Sequence, residues 1–128
     1  MNLMRQFRTL LIVGLLTAVA AGAAAGAGVF HTRLLDSAPK KDAVVAEAPR
    51  EIRLCFSEPV ETALTRVTVL GADSAEVGLG KVQASGDPAV VFAPVTGTMG
   101  PGTYLVRWRT TSKDGHVVRG TFCFRVGH

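Results

Sequence analysis

From Tyr104 to Thr110 the chain alternates between two chemistries, with Tyr104, Val106 and Trp108 in one phase and Arg107 and Arg109 in the other. Side chains two apart on an extended backbone share a face. The run therefore reads as a strand with one face on a core and one in water, Trp108 belonging to the core and the arginines to a solvated face. Similar short runs, punctuated by glycine and proline, recur through the rest of the chain after residue 30. Together they predict strands near residues 33–37, 51–57, 66–70, 81–84, 89–92, 102–112 and 117–126, with turns at 38–39, 48–49, 71–74, 85–88 and 99–102. About seven short strands in roughly 95 residues predict an all-β fold, an immunoglobulin-like Greek-key β-sandwich. A chain of that size builds one core and one domain, placed at residues 31–127. Residues 40–48 mix alanine, valine and acid without a period and read as a loop.

The start of the chain follows another pattern. A short basic stretch with Arg5 and Arg8 leads into an apolar run from Thr9 to Ala21, and residues 22–28 are almost all alanine and glycine. That order is the order of a secretory signal peptide, assigned to residues 1–27 with its boundary between 27 and 30. The implied location is periplasmic. The uncharged run over residues 9–32 is also long enough to cross a bilayer, which takes roughly 20 apolar residues, so an uncleaved anchor is the alternative. Removing residues 1–27 leaves 12 basic residues against 10 acidic ones, a net of +2 in place of +4. No Lys/Arg run or basic–aromatic pattern remains, which argues against nucleic acid as a partner.

Cys55 and Cys123 are the only cysteines, and both sit in strand-like runs whose apolar neighbours take the opposite phase. Both thus face away from the core. In an oxidising compartment the expectation is a disulfide between neighbouring strands, with two unpaired thiols as the alternative.

Ser112-Lys113-Asp114-Gly115-His116 carries the chemistry. Asp114-Gly115 is a turn signal between two strands, which puts His116 at a loop edge open to a ligand. Asp114 and His116, at i and i+2, can reach one cation. If processing leaves His31 at the N-terminus, its amine and Nδ1 chelate a metal. Joined by Asp114 and His116 they give three nitrogens and an oxygen, the tetragonal donor set that suits one Cu(II) ion. Zinc prefers a tetrahedral set. His128, the last residue, reads as a frayed terminus.

These motifs resemble the secreted copper-resistance CopC family. The resemblance runs through His31-Thr32-Arg33-Leu34-Leu35-Asp36-Ser37-Ala38-Pro39, Ile52-Arg53-Leu54-Cys55-Phe56-Ser57-Glu58-Pro59-Val60, Gly102-Thr103-Tyr104-Leu105-Val106-Arg107-Trp108 and the stretch from Ser112 to Phe122. It implies a β-sandwich that binds Cu(II) through His31, Asp114 and His116, sequestering the ion or carrying it to a separate CopD-type inner-membrane transporter. A non-catalytic, monomeric carrier is the expectation. Glu58 matches a family position close to the metal and is carried over as an axial or supporting group, with a solvated turn carboxylate as the alternative.

The chain departs from the family pattern twice. Members that also bind Cu(I) carry a Met-rich loop, whereas Met1 and Met4 lie in the leader and leave Met99 alone; no thioether site is expected. Family members also place small residues before the ligand histidine, whereas Phe30 precedes His31. Cleavage after Ala27 or Gly28 fits the small-residue rule better. A chain starting at Val29 would wrap Cu(II) with its amine, two backbone amides and the His31 imidazole, without Asp114 and His116.

Two other classes compete. A metal-free immunoglobulin-like interaction module would keep its leader as an anchor. A copper-dependent oxidative enzyme would use the same histidines as a brace, but about 100 residues leave little room for the extended flat binding face of that class.

Overall fold

The computed structural model describes residues 32–127. The assigned signal peptide, His31 and His128 lie outside the described residues. Nine strands follow in order: β1 (Leu34–Ala38), β2 (Val44–Val45), β3 (Glu51–Phe56), β4 (Arg66–Leu70), β5 (Glu76–Val77), β6 (Gln83–Ala84), β7 (Val90–Pro94), β8 (Gly102–Thr111) and β9 (Val117–Val126). One turn of 3-10 helix, Thr62–Leu64, precedes β4.

The strands form two sheets, one in the order β1-β3-β7-β6 and one in the order β2-β9-β8-β4-β5. Every pairing is antiparallel except β2 beside β9. The expected all-β sandwich is thus present. The two strands absent from the sequence expectation, β2 and β5, have two residues each, too few for a period to register. Val44 and Val45 correct the reading of 40–48 as loop throughout. They pair with Arg125 and Val126, held by the Arg125 N–H donating to the Ala43 carbonyl at 2.9 Å and the Gly127 N–H donating to that of Val45 at 2.9 Å.

The alternation read from sequence is what fills the space between the sheets. Ile52, Leu54 and Phe56 of β3 and Val91 and Ala93 of β7 face Val69 of β4, Tyr104, Val106 and Trp108 of β8, and Phe122, Phe124 and Val126 of β9, all buried. Met99 is buried in the same core. Phe56 and Trp108 join the two sheets edge to face, with ring centroids 5.3 Å apart and planes at 68°, a favoured aromatic geometry. Trp108 lies directly across from Gly120. A β-carbon there would stand 2.6 Å from the indole Cζ2, so only glycine lets the ring lie against β9.

The cysteines correct another expectation. Cys55 sits on β3 between Asp36 and Val90, whereas Cys123 sits on β9 opposite Leu105. The two strands belong to different sheets, and each thiol takes the outward phase, so the core separates them. Both are free, and the bridge between neighbouring strands is not formed.

Candidate metal centre

β8 and β9 form the longest hairpin of the fold, paired in register from Gly102↔Val126 to Thr111↔Val117. The connection, residues 112–116, carries both residues expected to hold a cation. Its shape is set by Ser112, which is 3% exposed. The Ser112 N–H donates to the His116 carbonyl at 2.9 Å, and the Ser112 carbonyl accepts the Gly115 N–H at 3.0 Å. The Ser112 hydroxyl donates to Asp114 Oδ1 and accepts the His116 N–H at 3.2 Å. Gly115 closes the turn at φ +91°, in the region that costs glycine least.

Asp114 and His116 meet as a consequence. The carboxylate Oδ2 lies 3.0 Å from His116 Nδ1, and both side chains are solvent-exposed. The Ser112 hydroxyl first, then the His116 backbone N–H, hold the Asp114 carboxyl below its ordinary value of 3.8; desolvation opposes them, and the His116 imidazole adds a smaller lowering. The carboxylate is therefore charged at neutral pH and available as a donor. The 3.0 Å separation is that of a hydrogen bond between the carboxylate and the imidazole. An aspartate against one imidazole nitrogen also leaves the other nitrogen in a fixed direction, the usual support of a metal-bound histidine.

The loop is anchored to the rest of the fold through the chain that leaves β3. Val60 bridges to Ser112, the Glu61 N–H donates to the Thr111 carbonyl at 2.9 Å, and Lys113 Nζ lies 3.3 Å from Glu61 Oε1. On its other side the same segment holds the start of the described chain. The Thr32 hydroxyl donates to Glu58 Oε2 at 3.2 Å, the Arg33 N–H to Ser57 Oγ at 2.8 Å, and the Ser57 N–H to the Arg33 carbonyl at 2.8 Å. Thr32 and Ser112 are therefore both bound to one short segment, residues 57–61. Glu58 ties Thr32 down. Among the described residues no three His, Cys, Asp or Glu side chains gather as a metal site.

Sequence reading missed Ser112 and the Thr32–Glu58 contact. The first had a signal, a hydroxyl residue two positions ahead of Asp-Gly, where Ser and Asp side chains bond to nearby backbone. The second, between residues far apart in sequence, had none.

Residues 34–127 match the family model described as the CopC domain. The chain belongs to the CopC family. Copper resistance protein C of Pseudomonas syringae pv. tomato is 30% identical over 127 residues, covering 94% of each chain. Protein YobA of Escherichia coli K12 is 33% identical over 97 residues, 75% of this chain and 78% of that one. Among solved structures, CopC of Methylosinus trichosporium OB3b superposes with a TM-score of 0.70 at 28% identity, over 76% of this chain and 94% of that one. PcoC of Escherichia coli, a methionine-rich copper resistance protein, gives 0.67 at 32% identity, over 76% and 99%. This CopC domain shares the fold of those structures, and copper is the ion its family is built around.

Proposed function

We propose that the exported chain binds one Cu(II) ion through His31, Asp114 and His116, and that it sequesters copper or passes it to a separate CopD-type membrane transporter without catalysing a reaction. The observation that supports this most strongly is the Asp114–His116 pair, held 3.0 Å apart by the bonds of Ser112. His31 immediately precedes Thr32, which Glu58 fixes to the segment that also holds the loop. An N-terminal His31 would add an amine and an imidazole, completing the N/O set that places Cu(II) at the top of the divalent affinity order. Copper would be the cargo. The protein's contribution is to hold its donors in place, and a loop of exposed side chains lets another protein reach the ion. Glu58 serves this reading by tying down the entry of the chain.

Titration of Cu(II) into the exported protein, its first residue identified by mass spectrometry, tests the proposal. One equivalent bound with an N-terminal His31, and affinity lost in His116→Ala, is the expected result. A retained leader with unchanged affinity in His116→Ala would instead favour the metal-free anchored module.

A further inference from the structure

The outer face of the five-stranded sheet carries a concentration of charge that the copper reading does not use. Arg66, Arg109 and Arg119 are direct neighbours across β4, β8 and β9. Arg107 occupies the next outward row, between Thr68 and Thr121, and Arg125 lies farther along β9 opposite Thr103. All five arginines are exposed. The ion pairs found among the described residues involve none of them. Glu76, on the edge strand β5, is the acidic side chain that shares this face. Like charges placed directly opposite one another destabilise a sheet, so this row works against the fold that carries it. The other sheet shows the usual arrangement, with Arg53 3.4 Å from Glu51.

The face is long. Neighbouring strands are about 4.8 Å apart, and Arg119 to Arg125 spans about 20 Å. An exposed aliphatic residue stands near each end: Val117, 47% exposed, shares the outward phase of Arg119, and Val44, 70% exposed, pairs with Arg125. Guanidinium groups match phosphate oxygens in a two-pronged geometry. Basic side chains beside aliphatic ones on one surface are the composition that lies on an anionic membrane. A pocketed anion would need convergent arginines, whereas these are exposed along the outward phase of the sheet.

We propose that this face docks on an anionic phospholipid bilayer, its arginines on the headgroup phosphates and Val44 and Val117 at the headgroup boundary. Four of the five arginines lie on β8 and β9, the two strands joined by residues 112–116. Docking would hold that loop beside the membrane. The proposal does not depend on the loop binding copper.

The test is co-sedimentation of the exported protein with vesicles of phosphatidylcholine containing one third phosphatidylglycerol, against vesicles of phosphatidylcholine alone. The expected result is binding to the anionic vesicles only, abolished near 1 M salt, where the screening length falls to about 3 Å. At about fivefold per arginine, the Arg109→Gln/Arg119→Gln double variant binds more than tenfold more weakly, while Arg109→Lys/Arg119→Lys keeps most of the binding. The Gln variant should also melt no lower than the parent, since it relieves a like-charge contact. Equal binding to neutral and anionic vesicles, as an uncleaved leader would give, overturns the proposal, as does a Gln variant that binds like the parent. Binding to soluble polyglutamate but not to vesicles would assign the face to an acidic protein and overturn the bilayer.

Discussion

The carboxylate of Asp114 and the imidazole of His116 stand 3.0 Å apart on a five-residue hairpin loop, and neither orients the other alone. The Ser112 hydroxyl, buried beneath them, holds Asp114 through Oδ1 and the His116 backbone through its N–H. A donor pair on an exposed loop is thereby given the fixed geometry of a core element.

Replacing Ser112 with alanine should loosen the pair without removing a donor. Loss of such a supporting bond typically costs about 10–100-fold in metal affinity, so Ser112→Ala should bind Cu(II) more weakly than the parent but more tightly than His116→Ala. A competition titration with a chromogenic chelator checks this order. Affinity equal to the parent would show that Ser112 does not position the ligands.

Asp114 should titrate below the ordinary aspartate value of 3.8 in the metal-free protein. Because its folded-state value is the lower one, its contribution to stability is present above 3.8 and is lost as pH falls through the folded value. Carboxyl chemical shifts followed by NMR read this directly. The Ser112→Ala variant should move the titration back up, since the Ser112 hydroxyl is the largest cause of the depression. A midpoint above 3.8 in the parent would contradict the loop geometry.

Gly120 and Trp108 make a separate prediction about the fold. A methyl at residue 120 meets the indole at 2.6 Å, and overpacking of this kind costs about 1–3 kcal/mol. Gly120→Ala should therefore lower the melting temperature and shift the Trp108 fluorescence, while Phe56→Ala, which removes the ring packed edge to face with the indole, should cost about 3–5 kcal/mol. Denaturant unfolding of the two variants measures both. An unchanged midpoint in Gly120→Ala would mean that the indole does not pack on β9.

Most of the sandwich was legible because its strands are long enough for the period of two to repeat. β8 and β9 alternate over ten residues each, and the inward phase of Tyr104, Val106 and Trp108 appears in the structure as buried side chains. The two-residue strands β2 and β5 were not legible, since their pairing comes from partners distant in sequence. The turn bearing Asp114 and His116 was visible through Asp-Gly, while its hub, Ser112, had only the weaker signal of a hydroxyl residue two positions ahead, and its bonds show the role. The phase of Cys55 and Cys123 was correct but did not say which sheet each strand joins, and that decides whether a bridge can form.

Two free thiols are accordingly expected even in an oxidising compartment. Cys55 and Cys123 lie on the outward phases of opposite sheets, and a disulfide needs α-carbons closer than about 7 Å. Quantitative thiol labelling of the unfolded, unreduced protein should find both cysteines reactive, and the Cys55→Ser/Cys123→Ser variant should melt close to the parent. A parent that resists labelling until it is reduced would contradict the topology.

The most direct test of the central claim is a Cu(II) competition titration of the exported protein beside His116→Ala, with the first residue of each determined by mass spectrometry. The account predicts one equivalent bound by a chain beginning at His31, and an affinity lower by orders of magnitude in His116→Ala. Equal affinity in the two proteins would contradict it, and would move the copper site away from the Asp114–His116 loop.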